Sequence, residues 1–436
     1  MSISLNYLRH KNFVIYGLGV TGRSVIDYFD KYGFKNYVGW DDNSQVFKKF
    51  LGSKSFDRRS DFLELINFVD YIIVSPGINI NKAKLKKILL KNKHKIITDL
   101  DLFYLLNPDL KSIVVTGTNG KSTTCKIIEH VLRKNRVNVS LGGNIGSPIL
   151  NLNLKKNPLI VIEASSFQLA YSKFIKPDYA LILNITKDHL DWHGSMSSYI
   201  RSKLKIFSHQ TKDNFAFINS KDLLKKFRRN NYMGKIKFIT PKGYRKIKDK
   251  VKNNYLNSEV NEENMSFVYG LSKILKIKEK SFIKSLKSFK GLAHRHEIFY
   301  KKNNKTFVND SKATSFEASR FALKNNKNIF WIVGGLPKIG DRFQLEKVKK
   351  NIIKAYIVGK HKKHFKKFLE DRVDFQLCNT LNSAVISMFK DVRNIKEKKI
   401  TILLSPASAS YDQFKNFEER GNKFKKLIKN YAGKYF

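Results

Sequence analysis

Two cysteines in 436 residues, Cys125 and Cys378, are too few for a disulfide framework and point to a reducing cytoplasm. No run of about 18 uncharged apolar residues occurs, which argues against a membrane-spanning helix. The opening MSISLNYLRHKNFVIYG passes within a few residues into a strand and a glycine turn. It lacks the separate apolar region and small-residue cleavage site of a signal peptide. Acidic residues are also scarce: 36 Asp and Glu face 84 Lys and Arg, a formal net charge of +48. That imbalance raises the question of nucleic acid. The excess is mostly lysine, however, spread along the chain among abundant Asn, Ile, Phe and Tyr. There is no arginine-rich tail, zinc-finger pattern or basic zipper. This reads as a coding bias and a solvated surface suited to anionic small molecules, with nucleic acid not the main partner. Short repeats are missing too.

What is present is a hydrophobic fraction of 42%, enough for a globular chain with two to four sizeable cores. Three strand–loop–helix openings divide it. FVIYGLGVTGRSVIDYF predicts a strand near 13–16, a glycine turn and a helix from about Gly22. NYVGWDD and VDYIIVSPGI follow as further strands. The second opening is VVTGTNGKSTTCKII, followed by the apolar strands LIVIEASSFQL and YALILNITKDH. The third region follows GLAHRHE and holds TFVNDSKATS, NIFWIVGG, KAYIVG and KITILLSPASAS. Strands alternating with helices predict an α/β chain of parallel sheets, with ligands at the strands' carboxyl ends. The boundaries expected are 1–99, 100–291 and 292–436. The lysine-rich, turn-rich segment 221–256 reads as surface.

Gly17-x-Gly19-x-x-Gly22 fits a dinucleotide fingerprint, and Asp41 stands 22 residues after Gly19, near the spacing of a ribose-binding acid. Amide groups at a helix N-terminus bind anions generally, so any nucleotide diphosphate fits this loop as well as NAD does. TGTNGKST is more specific. Gly117 and Gly120 let amides of Thr118 and Asn119 converge on phosphate oxygens, Lys121 reaches the terminal phosphates, and the Ser122 hydroxyl, followed by Thr123, suits Mg²⁺. The full eight-residue phosphate-loop pattern would need glycine at position 115, which is Val115. Glu163 and His189 each follow an apolar strand and could ligate a second Mg²⁺; alternatively Glu163 caps a helix and His189 is a plain loop residue. His189, Asp191 and His193 in DHLDWH also admit a two-metal hydrolase site. Lys203, on the expected helix SSYIRSKLKIF, reads by itself as a solvated lysine.

Taken together, GLGVTGRS, SPGI, TGTNGKST, GGNIGSP, EASSFQL, NITKDHLDWHG, YIRSK, GLAHRHE, NDSKATS and LSPASASYDQFKNFEERG resemble, in order, the Mur ligases of peptidoglycan synthesis. The C-terminal element resembles the branch that joins D-glutamate to UDP-N-acetylmuramoyl-L-alanine. The resemblance implies three domains: an N-terminal Rossmann-like UDP-binding domain, a central P-loop ATPase-like domain and a C-terminal Rossmann-like domain that holds the amino acid. It implies ATP and two Mg²⁺ ions, an acyl-phosphate intermediate and closure of the third domain over the second. It also implies a cytoplasmic monomer serving cell-wall growth, cell shape and division. By motif position, Val20, Thr21, Ser75, Pro76, Gly77 and Asn144 would meet the UDP substrate. Lys121 and Ser122 would hold phosphates and one Mg²⁺ with Glu163, and His189 the second Mg²⁺. Lys203 would be the family's carbamylated lysine, serving the metals. Asn264, Arg295 and Asp310 would touch ATP. Lys312, Thr314, Lys338, Ser410, Tyr411 and Phe417 would form the D-glutamate end. The chain departs from the family at Ala293, where Pro is usual, at Val260, Asn261, Glu262 and Glu263, and at Asp42 and Asn43. The rivals are a sister Mur or folylpolyglutamate-type ligase, and a basic nucleotide-regulated nucleic-acid-binding protein.

Overall fold

The computed structural model describes residues 5–51, 59–253, 255–256, 259–338, 340–341, 343–393, 395 and 399–435. It comprises two compact units, 1–290 and 291–436.

The first unit carries two sheets. β1 (Phe13–Tyr16), β2 (Tyr37–Trp40), β3 (Tyr71–Val74) and β4 (Ile96–Ile97) form a parallel sheet in the order β2-β1-β3-β4. β5 (Ser112–Thr116), β6 (Val139–Gly143), β7 (Leu159–Glu163), β8 (Tyr179–Ile182), β9 (Phe215–Ile218) and β10 (Lys235–Phe238) form the second, also parallel, in the order β10-β9-β8-β5-β7-β6. Strands buried on both faces read as unbroken apolar runs, and β1 and β5 are buried at every position. In each sheet the strand order reverses beside the first strand. The resulting crevices lie between β1 and β3 and between β5 and β8, and both are entered by a glycine turn.

The passage from one sheet to the other runs through a helix, Asp99–Leu106, whose start is fixed by a reciprocal cap between Thr98 and Asp101. The Asp101 carboxylate also accepts from the amides of Lys173 and Phe174 (2.9 and 2.8 Å), tying the helix to the second sheet's connections. One core joins Phe13, Ile15 and Phe29 to Val114, Ile160 and Ile182.

The segment 221–256 is more regular than its composition suggests. It supplies β10 and the helices Lys221–Arg229 and Pro241–Val251. Lysines fill the outer faces, while Leu223 and Phe227, and Tyr244, Ile247 and Val251, recur at helical spacing and are buried.

The second unit holds one sheet. β11 (Glu297–Lys302), β12 (Lys305–Asn309), β13 (Ile329–Gly334), β14 (Ile352–Val358), β15 (Phe375–Leu377) and β16 (Ile400–Leu404) lie in the order β11-β12-β16-β13-β14-β15. Among the described strands of this sheet, only the β11–β12 pair is antiparallel. Phe424 and Ile428 of the helix Phe417–Tyr435 cover one face; Phe316, Leu323 and Phe365 cover the other. Among the described residues no helix is long and apolar enough to cross a membrane.

Candidate active site

The two glycine turns and Glu163 sit where buried strands end. At the end of β1, Gly17 has φ +96, and a side chain on it would lie 2.8 Å from the Ser75 Cβ. Gly22 packs so closely that a Cβ would fall 2.0 Å from the Gly17 carbonyl oxygen. The Ser75 hydroxyl donates to that same carbonyl (2.6 Å), locking the ends of β1 and β3 together. The helix begins at Val20, two residues earlier than expected, and presents Val20 almost fully exposed with Thr21 beside it. Pro76 and Gly77 line the same crevice mouth, Gly77 exposed. Asp41 binds the Leu18 amide (2.7 Å) with one oxygen and the Asn43 amide (2.8 Å) with the other, bracing the glycine turn.

At the end of β5, the turn 117–120 feeds the helix Lys121–Lys134. Gly120 has φ +84 and stands against Asn264, whose Oδ1 would be 2.1 Å from a Cβ there. The end of β8 props the turn from the far side of the crevice. Asn184 receives the Thr118 amide at its carbonyl (2.9 Å) and the Asn119 amide at its side chain (2.8 Å). Thr118 Oγ1 accepts from the Thr186 amide and pairs with the Tyr199 hydroxyl (3.0 Å). Ser122 and Thr123 are buried at the head of the helix. Lys121 folds over the loop and donates to the carbonyls of Gly117 and Thr118, each at 2.9 Å.

Lys203 overturns its reading as a solvated residue. It is 1% exposed on the helix Met196–Leu204, and its ammonium donates to Gly117 O (2.8 Å) and Thr116 Oγ1 (3.3 Å). Burial, and then the neighbouring Lys121 charge, hold its pKa well below the ordinary lysine value. Glu163 ends β7, 2% exposed. One carboxylate oxygen accepts from Asn144 Nδ2 (2.9 Å); the other, Oε2, is buried with no hydrogen-bond partner. A buried orphan carboxylate oxygen is costly unless a cation takes it. Glu163 stands opposite Val115 in the β5–β7 register, where β5 leads into the phosphate loop, and a carboxylate there fits Mg²⁺.

His189 is half exposed, in the left-handed region (φ +52), 3.3 Å from Asp188 and packed on the Phe167 ring. His193 points elsewhere. It is buried, bonded to Ser166 Oγ (2.9 Å), and burial pushes its pKa down to about 4. No group of three or more His, Cys, Asp or Glu side chains gathers as a metal site among the described residues, so the DHLDWH hydrolase reading has no cluster to rest on.

In the second unit, Asp310 ends the buried run of β12. It accepts from Ser405 Oγ (2.7 Å) and the His296 amide (3.0 Å), and burial raises its pKa to about 7. Arg295 lies in the turn just before β11, its amide bonded to Leu292 O. The Lys312 ammonium sits over the Phe417 ring, 3.8 Å from its centre. A backbone pair between Leu336 and Ala409 (2.9 Å in both directions) brings the loop of Lys338 beside that of Ser410. Thr314, Lys338 and Tyr411 are exposed and Ser410 is buried. The sequence reading missed Arg420, whose buried guanidinium donates to Ser311 Oγ (3.0 Å), Ser311 O (2.8 Å) and Ser408 O (3.0 Å), joining these loops. It also missed Asn184, Thr186 and Tyr199, whose only signal was their place in NITKDH and YIRSK.

Known proteins resemble this chain along most of its length. Residues 115–283 match the Mur ligase middle domain, and residues 11–97 the Mur ligase MurD-like N-terminal domain. A protein of Rickettsia felis named UDP-N-acetylmuramoylalanine–D-glutamate ligase is 36% identical over 96% of this chain and 97% of its own. The structure of UDP-N-acetylmuramate-alanine ligase MurC from Thermotoga maritima aligns over 98% of this chain and all of its own, with TM-score 0.56 and 16% identity. MurF ligase from Thermotoga maritima, in complex with ADP, aligns over 97% of this chain and 99% of its own, with TM-score 0.55 and 16% identity.

Proposed function

The chain belongs to the Mur ligase family, and we propose that it joins D-glutamate to UDP-N-acetylmuramoyl-L-alanine at the expense of ATP, in peptidoglycan precursor synthesis. The observation that carries the chemistry is the buried Lys203 amine bonded to the phosphate loop, within the electrostatic reach of Glu163. The whole-length likeness to a D-glutamate-adding ligase favours that acceptor over those of the sister ligases.

A carboxylate is a poor acyl donor because oxide is a poor leaving group. In the proposed reaction a carboxylate oxygen of the UDP substrate attacks the γ-phosphorus of ATP. The bond to the β-phosphate oxygen breaks, and ADP leaves behind an acyl phosphate. The D-glutamate nitrogen then attacks the acyl carbon, the carbon–oxygen bond to phosphate breaks, and the amine loses a proton. The amides at the head of the helix Lys121–Lys134 hold phosphate oxygens, and Lys121 exchanges its loop carbonyls for the terminal phosphates. Asn264 flanks the loop at Gly120.

Ser122, Glu163, His189 and a carbamate on Lys203 would hold two Mg²⁺ ions, which when bound supply positive charge to the reacting phosphate. The depressed pKa of Lys203 supports the carbamate, because the free amine is the form that adds CO₂. Val20, Thr21, Ser75, Pro76, Gly77 and Asn144 would receive the UDP substrate. Lys312, Thr314, Lys338, Ser410, Tyr411 and Phe417 would receive D-glutamate, with Arg295 and Asp310 on the ATP side. Three domains bounded near 99 and 291, a monomer and a cytoplasmic site complete the proposal.

The test is phosphate release with ATP, Mg²⁺ and UDP-N-acetylmuramoyl-L-alanine, adding D-glutamate, L-glutamate, diaminopimelate or nothing, with the product weighed. A new amide with D-glutamate alone is expected. Turnover with another amino acid would move the chain to a sister ligase.

A further inference from the structure

Segment 78–84, just past the substrate residues Ser75, Pro76 and Gly77, links the two sheets of the first unit and has no part in the reaction as described. It continues from Ser75, which grips the Gly17 turn, to the connections that follow β7 and β8 in the second sheet. There Asn79 Nδ2 donates to Trp192 O (2.8 Å), the Ile80 amide donates to the Tyr171 hydroxyl (3.0 Å), and Lys82 Nζ donates to Asp191 O (2.9 Å). The segment is tied back to the first sheet where the Lys84 amide donates to Asp42 (2.9 Å). That carboxylate also accepts from the Tyr16 hydroxyl (2.6 Å) and the Trp40 indole (3.1 Å).

The carbonyls of Asp191 and Trp192 belong to a helix of four residues, Leu190–His193. One turn of helix does not stand by itself in water, and its last carbonyls need partners. Asn79 and Lys82 supply two of them. The residue immediately before this turn is His189, held in a left-handed conformation that a β-carbon disfavours and that persists only where its surroundings enforce it. Tyr171 and Phe167 pack on Trp192, and Phe167 on His189, so the same few groups surround both ends of the turn.

We propose that Asn79 and Lys82 are positioning residues: they pin the turn Leu190–His193 to the loop that grips the nucleotide diphosphate, so that binding at Gly17 and Ser75 sets His189 for the reaction. This rests on the proposed roles of those two sites. The path is short, and each step is a direct hydrogen bond. Exposed Lys82 and half-buried Asn79 contribute little to the core, so their loss leaves the fold standing.

The test uses the full chain with ¹⁵N-labelled histidine rings, His189 assigned through His189→Gln, and UDP as the probe at one fixed pH. In the parent protein, UDP shifts the His189 ring signals. In Asn79→Ala/Lys82→Ala, UDP still binds within about threefold, the shift falls below a third of its parent size, and kcat drops about tenfold. The KM values for ATP and the UDP substrate stay within threefold. Lys82→Arg, which can donate to the same carbonyl, retains the shift. If the double variant is poorly folded, Lys82→Ala alone carries the same comparison at half the effect. UDP that binds without moving His189 in the parent, or a variant whose His189 responds fully, refutes the coupling and leaves the nucleotide site intact. Failure of UDP to bind the parent removes the nucleotide reading and the coupling with it.

Discussion

Gly120 offers the sharpest test of the phosphate loop. Its φ of +84 lies in the left-handed region, which costs an L-residue about 1–2 kcal/mol. Alanine there would also place its Cβ 2.1 Å from Asn264 Oδ1 and 2.9 Å from Asn264 Cγ, so Asn264 must move. That side chain is buried and donates to Asn261 Oδ1 at 3.3 Å; losing the bond costs about 0.5–1.5 kcal/mol. Gly120→Ala should therefore destabilise the nucleotide-free protein by about 2–3 kcal/mol, or roughly 3–5 °C in Tm for a unit of this size. Asn264→Ala removes the obstacle but leaves the backbone strain, so the two substitutions should combine about 1 kcal/mol less than additively. Urea and thermal denaturation without nucleotide measure the cycle. In turnover, Gly120→Ala should raise the KM for ATP at least tenfold and leave that for the UDP substrate unchanged. An alanine variant of parental stability, or strict additivity with Asn264→Ala, would show that the loop is not built as described.

Lys203→Met should keep Tm within a few degrees, since it replaces a buried amine by an apolar side chain of similar length, and lower kcat/KM by about 100-fold or more; formate or acetate should restore part of the rate. A methionine variant with parental activity would make Lys203 a mere strut. Glu163→Gln should abolish the stabilisation that Mg²⁺ gives the parent, about 1.4 kcal/mol at ten times the dissociation constant; an undiminished stabilisation, read as a rise in Tm, would place the cation elsewhere. Asp310 has a folded pKa near 7 against an ordinary 3.8, so the folded chain holds a proton between those values that the unfolded chain does not. Its contribution is full below pH 4 and is lost as pH climbs to 7, by about 2–4 kcal/mol. Asp310→Asn should therefore gain stability over the parent as pH rises from 5 to 8, and a gain independent of pH would contradict the assignment.

Much of this architecture is written in local pattern. Apolar runs ending in glycine, as in FVIYG and IVVTG, gave the strands and the two crevice turns, because a parallel strand is buried on both faces and its turn must admit close backbone contact. Lys203 was not legible on those terms. It lies one turn after Tyr199 and between Ser202 and Leu204, all buried, but periodicity cannot separate a lysine that reaches back to water from one that turns inward. Only the three-dimensional approach of that helix to Gly117 decides it. Arg420 is hidden in the same way within a lysine-rich helix. The segment 221–256 misled in the opposite sense: lysine density masked the sparse apolar positions that make its helices amphipathic.

The central claim is that a carboxylate is activated by phosphorylation before the amide forms. The direct measurement is to label the L-alanyl carboxylate of the UDP substrate with ¹⁸O and weigh the phosphate released on reaction with ATP and D-glutamate. One labelled oxygen in each phosphate is the predicted result, because the atom that attacks the γ-phosphorus departs with it. Unlabelled phosphate alongside the new amide would mean that the carboxylate was activated by another route.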